Sequence, residues 1–244
     1  MGEQTQIGWT EATWNPWHGC IKISPGCKNC YMYRDKERYG QDPRKVVRSK
    51  TTFTDPLKWK EPRVVFTCSW SDFFIAEADE WREDAWDIIR NTPQHTYQIL
   101  TKRPERIADH LPSDWDRQDR WKHVCLGVSC ENQETADERI PILLQTPASV
   151  HWVSAEPLLG PIDFCGLGGC CSEWRDYPLD WVVLGGESGP DFRTMEIDWL
   201  RDAIEQLKNE TEVKIFTKQD SGPRPGLQGR IPDELWIKEF PGRS

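Results

Sequence analysis

A rhythm of short apolar strands and amphipathic helices constrains this chain most. Residues 64–68 read as a buried strand, and residues 80–91 as a helix with Trp81, Ala85, Ile88 and Ile89 on one face. The alternation continues with strand 96–101 and helix 104–110, then strand 124–128 and helix 133–144. Strands 150–154 and 181–185, helix 198–208 and strand 213–216 follow, and a first strand lies within residues 7–19. Strands this apolar belong to parallel β–α units covered on the outside. About seven of them in 244 residues predict an α/β fold, a full or partial TIM-like (β/α)6-7 barrel with parallel strands. Residues 1–244 are expected to form one such domain, with a basic insertion at 41–63 and a Cys/Gly-rich loop at 164–178.

The carboxyl ends of parallel strands form one mouth, and active sites sit there. The residues after the expected strands are polar: Ser71 and Asp72, Lys102, Ser129 to Asn132, Glu156, Glu187, then Lys218 and Gln219. Asp72, Lys102, Glu131, Asn132, Glu156, Glu187, Lys218 and Gln219 are expected to converge, with Cys130 lining the same mouth. A residue in this position can instead cap the next helix, and that use stays open for Ser71, Asp72 and Ser129. Glu156 and Glu187 sit in tight turns that do not open a helix at once.

Residues 19–31 place Cys20, Cys27 and Cys30 at spacing C-x6-C-x2-C. Gly19, Pro25 and Gly26 let the segment fold back. A helix over 31–39, ended by Gly40, would put the thiolates near a helix N-terminus. Three ligand sets are open. Three thiolates can hold three irons of a [4Fe–4S] cluster and leave one iron free. With His18 they can form a Cys3His zinc site. They can also form disulfides, although the N-terminus lacks signal-peptide features. That predicts a cytoplasmic location, where an odd count of nine cysteines favours ligands. Cys68 and Cys125 read as core. Cys165, Cys170 and Cys171 read as structural or free thiols, with a second metal as the alternative. No apolar run approaches the ~20 residues of a membrane span. A net charge of −9 argues against a general phosphate-coating role. Yet Arg44, Lys45, Arg48, Lys50, Lys58, Lys60 and Arg63 make 41–63 a solvated loop or a nucleic-acid contact.

Two resemblances follow from these motifs. The three-cysteine loop after a first strand and the tripeptide Gly185-Gly186-Glu187 resemble the radical S-adenosylmethionine superfamily, whose usual spacing is C-x3-C-x2-C. Trp9 to Pro16, Ser24 to Tyr31, Ser154 to Asp163 and Gly185 to Pro190 are similar to a phage and prophage family with a three-cysteine motif. The first resemblance implies that Cys20, Cys27 and Cys30 hold a [4Fe–4S] cluster whose free iron takes S-adenosylmethionine. It also implies an external electron donor and abstraction of a substrate hydrogen. Glu156 or Glu187 would meet the cofactor's ammonium or ribose. Lys102, Arg193 or Lys218 would meet its carboxylate, with Ser71, Asp72 and Glu131 in the same set. The phage resemblance and the basic 41–63 segment point to a nucleic-acid base or nucleotide as substrate, with a peptide or small metabolite as the open alternative. The reading from another class is a zinc-stabilised, non-catalytic module that binds nucleic acid or protein.

Overall fold

The computed structural model describes residues 5–165, 178–210 and 212–242. Its strands are β1 (Ala12–Trp14), β2 (Trp17–His18), β3 (Val47–Arg48), β4 (Val64–Thr67), β5 (Thr96–Thr101), β6 (Val124–Ser129), β7 (Val150–Ala155), β8 (Trp181–Gly185) and β9 (Lys214–Gln219). Its helices are α1 (Tyr31–Arg38), α2 (Asp79–Arg90), α3 (Gln118–Trp121), α4 (Gln133–Leu144) and α5 (Ile197–Glu210). Seven strands form one parallel sheet in the order β1-β4-β5-β6-β7-β8-β9, and β2 pairs antiparallel with β3. The α/β class and the parallel sheet therefore agree with the sequence pattern.

Both faces of this sheet are largely buried, which is why its strands are rich in apolar residues. One face carries Val65, Tyr97, Ile99, Leu126, Val128, Val153, Val182, Leu184 and Ile215 against Trp86, Ile89, Ile140, Leu143, Leu200 and Ile204 of the helices. Side chains at alternate positions gather separately: Phe66, Cys125, Trp152, Trp181, Val183 and Phe216, around Trp9. In a flat sheet β4 and β9 would lie five spacings of about 4.8 Å apart, about 24 Å. Yet the ring centroid of Trp9 is 4.7 Å from that of Phe66 on β4, while a Cβ on the neighbouring Gly8 would be 3.5 Å from Phe216 on β9. The sheet is therefore curled, with Trp9 plugging its concave side. Gly127 is required there, because a Cβ would lie 2.4 Å from Trp152 Nε1.

One expectation changes. Residues 104–110 form two 3-10 turns, Pro104–Arg106 and Ala108–His110, rather than a helix. Pro112 biases Leu111 to extended backbone (φ −75°, ψ 152°) and stops the segment before an α-helix can propagate. On α2, Trp81, Ala85, Ile88 and Ile89 all face the core, Trp81 at its edge, and the sequence pattern missed Trp86, which is fully buried. Cys170 and Cys171 lie outside the described residues, and Cys165 is half-buried.

Candidate functional site

Residues in or just after all seven strands of the large sheet line one cavity of about 960 Å³. Trp9, Phe66 and Leu100 give it an apolar end. Thr13, Ser129 and Ser154 add hydroxyls, and Trp70 and Trp236 add two further rings. Cys20, Cys27 and Cys30 all line it, half-buried and free, so no disulfide ties them together. His18 is not in the lining. Among the described residues no group of three or more His, Cys, Asp or Glu side chains is gathered closely enough to hold a metal ion. A cluster places each cysteine on a separate iron.

Local sequence explains how the thiols reach the cavity. Gly19 has φ +99°, and a Cβ there would lie 2.2 Å from the carbonyl oxygen of Lys45. Only glycine permits that approach. Cys20 N donates to Pro43 O (3.0 Å), and Gly19 N to Trp70 O (3.0 Å). Pro25–Cys27 is a 3-10 turn, and Cys30 is the N-cap of α1. Burial raises the Cys30 thiol, while the backbone amides of Tyr33 and Met32 pull it back. Burial, then the charge of Asp72, pushes the Cys20 thiol up to about 12. Arg103 works against burial at Cys20, and a bound metal ion removes the proton of a coordinating thiol. Thiolate sulfur is the donor that iron–sulfur clusters use, and Cys20, Cys27 and Cys30 put three such side chains on one cavity wall.

Three strand-end carboxylates fasten the cysteine loop. Asp72 is buried and accepts from Thr101 Oγ1 (2.7 Å), Lys102 N (2.8 Å), Phe74 N (2.9 Å) and Arg103 Nη1 (3.0 Å). Arg103 Nη2 then donates to Ile21 O (2.9 Å). Glu131 is 0% exposed. It pairs with Lys102 Nζ (2.6 Å) and Arg139 Nη1 (3.3 Å), and accepts from Ser24 Oγ (2.8 Å). Burial opposes its ionisation, but Lys102 and Arg139 prevail and hold the carboxyl below its usual range. Glu187 accepts from Arg193 Nη2 (2.6 Å), Arg193 Nε (2.9 Å) and Asn29 Nδ2 (2.9 Å), while Arg193 Nη1 donates to Pro25 O (3.0 Å). Ser71 Oγ donates to Gly19 O (2.6 Å). The loop is held at Gly19, Ile21, Ser24, Pro25 and Asn29 from four different strand ends.

This sorts the expected site residues. Ser71, Asp72, Lys102 and Glu187 line the cavity, but the polar atoms just described are committed to the protein. Glu131 and Arg193 are absent from the lining. Glu156 and Lys218 do line it, paired with each other at 2.9 Å beside Ser154, and are the expected residues left facing open space. Gln219 lines it too. Asn132 instead caps α4, accepting from Thr135 N (3.1 Å). Cys130 is not at the mouth but in the helix-side core. Of the two expected core thiols, Cys125 is buried inside the curl, whereas Cys68 is buried yet also touches the cavity. Its φ of +64° turns the chain there.

Sequence reasoning passed over Asn29, Arg103, Trp236 and Lys238. Lys238 lies beyond the last strand, where no β–α pattern points. Its Nζ sits 3.4 Å from the Trp236 ring centroid and 4.4 Å from that of Phe216, and it donates to Thr217 O. Burial lowers it to about 8. In the basic segment, Arg48 pairs with Asp84 (2.8 Å) and Lys58 with Asp55 (2.8 Å), as solvated surface cations do.

A cysteine loop fastened across the carboxyl ends of a curled parallel sheet defines an α/β protein with a thiol-lined cavity. Residues 4–229 match a family described as a protein of unknown function (DUF5131), and the chain belongs to that family. No curated protein and no solved structure matches it.

Proposed function

We propose that this chain is a radical S-adenosylmethionine-type enzyme of phage or prophage type, built on a partial TIM-like barrel. Cys20, Cys27 and Cys30 would hold a [4Fe–4S] cluster on the cavity wall. When bound, the cluster supplies one electron and the cofactor supplies hydrogen-abstraction chemistry. The observation that carries the reading is that three free thiols of one loop line one cavity at the strand ends.

The chain's own part is positioning and exclusion of water. Asp72 with Arg103, Glu131 with Lys102 and Arg139, and Glu187 with Arg193 fix the loop. Buried carboxylates with several charge-assisted bonds give a rigid mounting. Glu156 and Lys218 offer a paired anion and cation to a zwitterionic amino-acid group. Trp70 and Trp236, half-buried in the lining, offer flat apolar faces to rings, which supports a nucleic-acid base or nucleotide as substrate.

The test uses protein reconstituted anaerobically with iron and sulfide, then given S-adenosylmethionine and dithionite. Methionine and 5′-deoxyadenosine should form, and Cys27→Ala should bring their formation to background. Equal turnover by Cys27→Ala would overturn the assignment.

A further inference from the structure

The outer side of the cysteine loop is unlike the rest of this acidic chain. Ile21 is 41% and Ile23 47% exposed, and both rank among the few large apolar side chains left in solvent. Exposed Lys22 lies between them and exposed Lys28 follows on the same loop. Two tethers bring in a second basic stretch. Cys20 N bonds Pro43 O (3.0 Å), and Gly19 packs under the carbonyl of Lys45, so exposed Arg44 and Lys45 border the loop. Arg44 has Asp42 beside it at 3.4 Å. Lys22, Lys28 and Lys45 have no carboxylate within ion-pair distance among the described residues. A local cationic face on a chain of net charge −9 selects a partner of opposite sign.

Exposed isoleucines inside a basic rim have the make-up of a protein–protein contact. A phosphate-backbone site relies on cations and backbone contacts, with no use for bare aliphatic side chains. Cys20 is covalently joined to Ile21, so a partner seated here lies against the loop whose thiols face the cavity. We infer that Ile21, Ile23, Lys22, Lys28, Arg44 and Lys45 form the docking face for a small acidic one-electron carrier protein. The carrier is oxidised by one electron, and the cluster held by Cys20, Cys27 and Cys30 is reduced by one. The electron-transfer role rests on the cluster reading; the docking face is tested without it.

The probe is a small acidic [2Fe–2S] ferredoxin, titrated calorimetrically against the full-length chain before and after reconstitution. Lys28→Glu with Lys45→Glu should weaken binding about tenfold or more, and added salt should weaken wild-type binding in the same direction. Lys28→Gln with Lys45→Gln should fall between, which guards against misfolding of the charge-reversed protein. Ile23→Ser should weaken binding with little change in salt dependence. In reconstituted protein, bleaching driven by reduced ferredoxin should slow by the same factor in the charge-reversed variant, and bleaching by dithionite should not change. Equal ferredoxin affinity for wild type and the charge-reversed variant would overturn the docking face. So would a DNA duplex that binds the wild type more tightly than ferredoxin and is lost in that variant. If dithionite bleaches nothing in the wild type, the cluster reading fails and the electron-transfer role goes with it.

Discussion

Gly26 shows how closely the cysteine loop is fitted. A Cβ at this position would lie 2.3 Å from both Cγ and Oε1 of Glu131, and Glu131 is gripped by Lys102, Arg139 and Ser24. Gly26→Ala should cost about 1–3 kcal/mol by overpacking, read from urea denaturation, and should lower iron uptake on reconstitution. Glu187 is the second test. Glu187→Ala leaves Arg193 and Asn29 without their acceptor. Arg193 is partly exposed, so the expected cost is about 1–3 kcal/mol. The pH dependence has a definite sign. Burial works against ionisation of Glu187, but the hydrogen bonds from Arg193 and Asn29 prevail and hold its carboxyl below the usual range. Its contribution is therefore present above the unfolded value of about 4.3 and lost as pH falls through the lower folded value. The stability difference between wild type and Glu187→Gln should shrink below about pH 4, as followed by thermal melts at stepped pH. Sequence marked Glu187 as a strand-end acid but hid its work. The partner that ties it to the loop, Asn29, is 158 residues away, and no local pattern encodes such a pairing.

At the scale of elements, most of the sheet was legible because its strands are largely buried on both faces and therefore rich in apolar residues. Strand β5 and helix α4 coincide with the predicted spans, the latter helped by Asn132 at its N-cap. The 104–110 segment misled because its composition suits a helix, while Pro112 close behind it decides otherwise. The curl was not legible. It depends on Trp9, which precedes β1 and looks like any loop aromatic, meeting Phe66, Trp152 and Trp181 across the concave face. Trp152→Ala should cost about 3–5 kcal/mol, measured by denaturant unfolding. It should also disturb the apolar end of the cavity more than the cysteine loop. A mutation of the exposed Lys60 should change stability by less than about 0.5 kcal/mol.

For the whole molecule, the sequence placed a polar mouth at the strand ends, and the cavity lies there. What it did not reveal is the division of labour within that mouth. Asp72, Glu131 and Glu187 hold a loop in place, and Glu156 with Lys218 faces the space that remains. Among the described residues no helix is long and apolar enough to cross a membrane. The account stands on what the three thiols bind, and metal analysis with a visible spectrum of the anaerobically reconstituted protein reads that directly. The prediction is about four irons and as many sulfides per chain, with broad visible absorbance that dithionite bleaches and that Cys20→Ala, Cys27→Ala or Cys30→Ala removes. A colourless protein that keeps one zinc after the same treatment would contradict it.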